Sequence, residues 1–396
     1  MVCGSVRLGQ PRDGLEYRNF TGFVFWPEHH SGVFMTTLDI HPPREIIEAD
    51  RPVSPPSLLS RSYRDRLIER GILGLYRWYT ARSQETRNWN PDLGFDWRSL
   101  RTDYSPDTQQ ILEGFFAVEQ YAPDYVSKFL HMVRRSHGRS HFQMRWGSEE
   151  EKHADTWENA VLFSKSRTPE YLREYKIALR TNEWKIPWDD ALHVLLYTVF
   201  QERATQLNYL NLAKVATGTS DKLKNDVDPV LAKVAITIAT DEAAHYNFFL
   251  ECARLFMYYY PLETLEAMRD VVNHFAMPAS DIVPNWDAFF EAAYRNAIYG
   301  PREYARDVVA LVFKQFGVQN KRALEEGIRR TRLVPDEDGQ MRQTSIWQSF
   351  DPGLLERDVI KIYNKIGAFE HSYGMDKIDP VVFETNPVWP AEQAAD

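Results

Sequence analysis

The chain has 396 residues, 43% hydrophobic and 26% charged, with a formal net charge of −9. This is enough apolar material for one large helical domain or two smaller ones, and the acidic balance argues against a general nucleic-acid binder. Its two cysteines, Cys3 and Cys252, exclude a disulfide framework and a cysteine-held cluster, so any metal has to sit on oxygen and imidazole. No run approaches the roughly 18 apolar residues of a membrane span. The N-terminus has neither an apolar signal core nor the character of a transit peptide, so a soluble cytoplasmic protein is expected.

Residues 1–56 read as an N-terminal extension. Phe20 to Leu38 is aromatic and β-branched but broken by Gly22, Pro27 and Gly32, which suits a hairpin or an irregular arm. Pro42-Pro43 and Pro52 to Pro56 punctuate a linker. From Ser57 onward helical periodicity dominates, and residues 57–396 are expected to form one all-α catalytic domain with a C-terminal tail. The spacing predicts helices near 57–83, 105–136, 148–165, 169–182, 187–216, 222–258, 261–276, 284–298, 302–317, 320–332 and 353–368. Ser105-Pro106 and Thr168-Pro169 are cap-plus-proline starts, and Gly138 and Gly317 are candidate stops. Arg332 to Ser349 reads as a loop.

Four acidic positions on four of these helices carry the chemistry. Glu150 and His153 form E-x-x-H, and Glu242 and His245 repeat it. Three residues are about 300° of helix, so each pair points to one face and can grip one metal edge. Of Glu149, Glu150 and Glu151, only Glu150 has that spacing to His153. Glu119 and Glu202 stand singly, Glu202 after the apolar run Val194, Leu195, Leu196, Val199 and Phe200. A lone buried carboxylate costs several kcal/mol or becomes protonated, whereas four carboxylates balance two divalent ions. One E-x-x-H is common on helices that bind nothing. Two of them, in the order Glu, E-x-x-H, Glu, E-x-x-H, match the ligand pattern of di-iron four-helix bundles, and mixed carboxylate–imidazole ligation suits iron that activates dioxygen.

At these residues the chain resembles the acyl-acyl-carrier-protein desaturases, ferritin-like diiron enzymes of plants and bacteria. The resemblance runs from about Pro55 to Lys321 through NWNP around Trp89, EQYAPDY, EEEKHADTWENAVL, FQERAT, DEAAH, MPA at Met277 and YGPREYARDVVALVFKQFGV near Tyr299. It implies a ferritin-like four-helix bundle with additional helices around it and two iron ions (Fe2+/Fe3+) on Glu119, Glu150, His153, Glu202, Glu242 and His245. It further implies O2 as co-substrate, a ferredoxin-like electron donor, an acyl carrier protein substrate and a homodimer. Thr205, one turn beyond Glu202, matches a family threonine placed for proton delivery during oxygen activation; the plain alternative is a threonine bonded back to the i−4 carbonyl. Trp89 and Asp241, with His153, match a chain that passes electrons inward, and Asp241 also suits an acceptor that fixes an imidazole tautomer. Asp155 is a similar candidate. Pro123, four residues after Glu119, should kink the helix there, which favours Glu119 over Glu113 as ligand.

Ala243 and Ala244 depart from the family, since the plant enzymes carry basic residues there. A basic face for an acidic carrier is nevertheless available in Arg61, Arg64, Arg66, Arg70, Arg77, Arg82 and Arg87, with Arg77 and Arg82 as docking candidates. A second cluster comprises Lys128, Arg134, Arg135, Arg139 and Arg145. The resemblance leaves chain length and double-bond position open. Competing readings are a diiron tailoring oxygenase or desaturase of secondary metabolism and, in a different class, a ferritin-like iron-handling protein.

Overall fold

The computed structural model describes residues 59, 61–330, 333–335, 341–343, 352–375 and 380; the expected N-terminal extension lies outside them. Helices dominate, as the periodicity predicts. They are α1 (Arg61–Thr86), α2 (Pro106–Glu119), α3 (Ala122–Val133), α4 (His137–Phe163), α5 (Pro169–Thr181), α6 (Ala191–Ala216), α7 (Pro229–Tyr259), α8 (Pro261–His274) and α9 (Trp286–Arg295). Next α10 (Pro301–Glu303) runs through a π-helical stretch (Tyr304–Val309) into α11 (Ala310–Gln315), followed by α12 (Lys321–Arg330) and α13 (Pro352–Ser372).

The bundle that matters is α2 with α3, α4, α6 and α7. Here α6 lies along α7, and α2 and α3 lie along α4, while α1 covers α4 and α7. This is a ferritin-like four-helix bundle wrapped by further helices. Ser105 and Thr168 cap α2 and α5 as expected, accepting from Thr108 N and Tyr171 N, and Gly317 ends α11 at φ 75°.

Several boundaries differ from expectation. The segment expected to be one helix over 105–136 breaks between Glu119 and Ala122 and ends at Val133, and the helix expected from 148 already starts at His137. Gly138 is not a stop: it sits in the first turn of α4, which starts at His137 behind the Ser136 cap. A Cβ there would lie 2.8 Å from Leu73 N and 2.9 Å from Leu73 Cα, so the glycine lets α4 cross the backbone of α1. Finally, α7 starts at Pro229, where Asp228 accepts from Val230 N and Leu231 N, a cap-plus-proline start like the two recognised from sequence. Within the expected 332–349 loop, β1 (Leu333–Pro335) pairs antiparallel with β2 (Met341–Gln343).

Candidate metal centre

Each of the six expected ligands projects from a bundle helix into one buried cluster. Glu150 and His153 come from α4, Glu202 from α6, and Glu242 and His245 from α7, all 3% exposed or less. Glu119 is the last residue of α2. Pro123 lies at the start of α3, so the expected kink is a full interruption of the helical ladder immediately after this carboxylate. Glu113 is out of the cluster and paired with Arg167.

Ligand-type atoms gather into two overlapping groups, Glu119, Glu150, His153 and Glu242 in one and Glu150, Glu202, Glu242 and His245 in the other. Glu150 and Glu242 belong to both. His153 Nδ1 is 3.5 Å from Glu150 Oε2 and 3.2 Å from Glu242 Oε1. His245 Nδ1 is 3.0 Å from Glu150 Oε1, 3.4 Å from Glu202 Oε2 and 3.5 Å from Glu242 Oε2. The geometry is that of two cation positions, each with one imidazole and one terminal carboxylate, joined by two shared carboxylates.

Chemistry and charge both fit a metal pair. Both imidazole Nδ1 atoms, both oxygens of Glu202 and of Glu242, and Glu150 Oε1 are buried with no hydrogen bond, a cost proteins do not normally leave uncompensated. Burial first, and then the neighbouring carboxylates, push Glu119 and Glu202 well above the usual carboxylate range. Burial depresses both histidines, but the surrounding carboxylates outweigh it and raise them well above the usual imidazole range. The cluster thus demands positive charge, which two divalent cations supply without protons.

Outer partners turn the imidazoles inward. His153 Nε2 lies 3.4 Å from Asp241 Oδ2, and Trp89 donates its indole N–H to the same oxygen at 2.9 Å. The Trp89 and His153 rings are nearly parallel, 10° apart with centroids at 6.2 Å, so the structure brings together the three residues of the expected chain. His245 Nε2 lies 2.9 Å from Glu149 Oε2. Glu149 also accepts from Tyr79 and Ser83 and lies 3.3 Å from Arg145 Nε. Burial raises this carboxyl, but the bonds from His245, Ser83 and Tyr79 outweigh it and hold it below the ordinary range.

Sequence reasoning passed over Glu149; its signal was a glutamate beside a ligand in a helix whose other neighbours, Trp146 and Trp157, are core aromatics. Asp155 does not fill the role proposed for it. Two residues past His153 it has turned about 200° around the helix, and it is exposed beside Glu151, Glu158 and Asp92.

A cavity opens against the cluster, lined by Glu119, Thr205 and Tyr209 on the cluster side and chiefly by aromatic rings elsewhere. Tyr209 donates its hydroxyl to Glu119 Oε1. Thr205 donates to the Gln201 carbonyl at 3.0 Å and accepts from Gln201 Nε2 at 3.0 Å, so its hydroxyl is bonded back along the helix while lining the cavity.

Several arginines expected on a docking face are used inside the fold. Arg70 pairs with Glu370 at 2.6 Å, and Arg87 is buried 3.4 Å from Asp241. Arg139 donates to the Ala191 carbonyl, and Arg145 donates to Ser83. Arg77 is half-buried, and Arg82 is exposed and paired with Glu85.

Comparison with known proteins bears on this centre. Residues 101–336, more than half of the chain, match the family model described as fatty acid desaturase. A chloroplastic stearoyl-[acyl-carrier-protein] 9-desaturase of Arabidopsis thaliana is 27% identical over 251 residues, 59% of this chain and 62% of that protein. Another, from Oryza sativa subsp. indica, is 26% identical over 233 residues, 55% of this chain and 58% of that protein; the chain therefore spans about three-fifths of these relatives. Among solved structures, the Mycobacterium tuberculosis protein DesA2, assigned as an acyl-ACP desaturase, aligns at 16% identity and a TM-score of 0.45, covering 65% of this chain and 98% of that one. The match over 101–336 contains all six residues of the cluster, and the chain belongs to the fatty acid desaturase family.

Proposed function

We propose that this chain is an oxygen-dependent diiron desaturase that introduces a double bond into an acyl chain carried by an acyl carrier protein. The observation that carries the reading is the pair of overlapping four-residue groups, sharing Glu150 and Glu242, beside an apolar cavity. Glu119, Glu150, His153, Glu202, Glu242 and His245 would hold the two metals. When bound, these supply the dioxygen and redox chemistry that removes two hydrogens from adjacent carbons, with electrons from a ferredoxin-like donor.

The protein's own contribution is positioning. Asp241 and Glu149 hold the imidazoles with Nδ1 inward, and Tyr209 steadies Glu119. The aromatic walls exclude water from a chain lying in the cavity, and Thr205, whose hydroxyl proton is held by the Gln201 carbonyl, can deliver it to the cavity once that bond is released. Trp89, joined through Asp241 to His153, offers the inward electron route. A ferritin-like iron store would have no use for an aromatic-lined cavity beside its metal ligands. Carrier, donor and homodimer are parts of the same reading, as is the division into an extension (1–56) and a catalytic domain.

The test is mass spectrometry of acyl carrier proteins incubated with the purified iron-loaded protein, reductant, a ferredoxin-like donor and oxygen. The expected product lacks two hydrogens and requires both iron and oxygen. An oxygenated product would point instead to a tailoring oxygenase, and no product from any carried chain would refute the acyl reading.

A further inference from the structure

One guanidinium lies between the two outer carboxylates that support the imidazoles. Arg87 directly follows α1, its backbone N–H donating to the Ser83 carbonyl at 2.9 Å, and its side chain is buried. Nε is 3.4 Å from Asp241 Oδ1, and Nη2 is 3.9 Å from Glu149 Oε2. These nitrogens share one edge of the planar group. A fork that commonly grips a single carboxylate here gives one prong to each of two. The cation also sits 4.8 Å over the Tyr79 ring, and Tyr79 donates to Glu149. The Arg87 carbonyl accepts from Lys152 Nζ at 3.1 Å, which ties this segment to α4 beside His153.

Neutralising charge does not set Arg87 apart. Glu149 has Arg145 at 3.3 Å, and Asp241 has Lys152 at 3.5 Å. Each outer carboxylate thus has a cation of its own, and Arg87 is the cation they share. Asp241 Oδ2 meets Trp89, His153 and Lys152, whereas Oδ1 takes no hydrogen bond and faces Arg87. Arg87 Nε and Nη2 are likewise buried without a hydrogen bond, so the contact is ionic at both ends and draws both acids toward one group.

We propose that Arg87 is a positioning residue that sets the orientation of both imidazoles at once, through Asp241 to His153 and through Glu149 to His245. The inference rests on the reading of the cluster as a two-metal centre. Bracing and plain charge have opposite signs here. A cation this near two divalent ions repels them, so as mere charge its removal would tighten metal binding. As a brace, its removal frees both outer carboxylates to shift, and disturbing such partners costs metal affinity.

The test follows the two imidazoles in the full chain loaded with Zn(II) and carrying isotope-labelled histidine. NMR reads the ring N–H that each imidazole presents to its outer carboxylate, and competition with a chromophoric chelator gives zinc affinity. Glu149→Gln and Asp241→Asn identify which signal is which. Arg87→Gln should displace both signals and weaken zinc binding on the order of tenfold. Arg145→Gln should displace only the His245 signal, and Lys152→Gln only that of His153. Arg87→Lys keeps the charge without the fork and serves where Arg87→Gln fails to fold; it should leave at least one of the two signals displaced. Tighter or unchanged zinc binding in Arg87→Gln, movement of one signal only, or full recovery of both by Arg87→Lys overturns the proposal while leaving the two-metal reading intact. A wild type that takes up no zinc overturns both.

Discussion

His153 and His245 face the same cluster through Nδ1 but lean on different outer carboxylates, Asp241 at 3.4 Å and Glu149 at 2.9 Å. Such partners fix the tautomer and raise ligand basicity, and their loss commonly costs about 10–100-fold in metal affinity. Glu149→Gln and Asp241→Asn should each weaken Fe(II) or Co(II) binding by that order. Unaltered titration curves would make both contacts merely structural.

Glu150 and Glu242 each belong to both four-residue groups. Replacing either by Ala should therefore remove most metal from both positions and abolish activity. Full occupancy of two ions per chain in both variants, by elemental analysis, would refute the ligand assignment.

Thr205→Val keeps shape and removes the hydroxyl bonded to Gln201. Iron content should stay at the wild-type level, while turnover slows or uncouples, oxygen being consumed faster than product forms. Unchanged coupling in an oxygen electrode assay would reduce Thr205 to a helix-bonded residue of the wall.

Gly138→Ala tests the α1–α4 crossing. The added Cβ meets Leu73 backbone at 2.8 Å, which cannot rotate away, so overpacking should cost about 1–3 kcal/mol. A lowered urea midpoint with unchanged slope is the expected signature.

The proposed carrier docking is tested at the surface. Arg77 and Arg82 both reversed to Glu should raise the apparent KM for a carrier-linked substrate, with metal content intact. The difference should shrink at high salt as the Debye length falls from about 10 Å at 0.1 M to about 3 Å at 1 M. Salt-insensitive turnover of a free acid at equal rate would remove the carrier from the mechanism.

What was legible in the sequence was what depends on short spacing. E-x-x-H places two ligands on one helix face regardless of the rest of the fold, so Glu150, His153, Glu242 and His245 could be read directly. Glu149 could not, because its partners Tyr79, Ser83 and His245 arrive from α1 and α7. The arginines failed for the same reason: an Arg-rich stretch looks basic in one dimension, but Arg70 and Arg87 spend their charge on Glu370 and Asp241. Asp155 was misassigned because being near His153 in sequence does not place it on the same side of the helix. The start of α4 at His137, eleven residues before the expected 148, went unseen because Gly138 reads as a terminator, whereas here its missing side chain serves a helix crossing.

The interruption after Glu119 has a consequence for how such a protein can diverge. One short turn separates the last residue of α2, a carboxylate of the buried cluster, from α3, which carries Tyr125 and Phe129 into the cavity wall. Inserting or deleting a residue in that turn would rotate α3 by about 100° relative to Glu119, changing cavity shape and metal geometry in one event. Substitution at Phe129 changes only the former. Point substitutions along α3 can therefore reshape the cavity wall one residue at a time, whereas a change in the length of the turn that joins it to α2 disturbs cavity and carboxylate together.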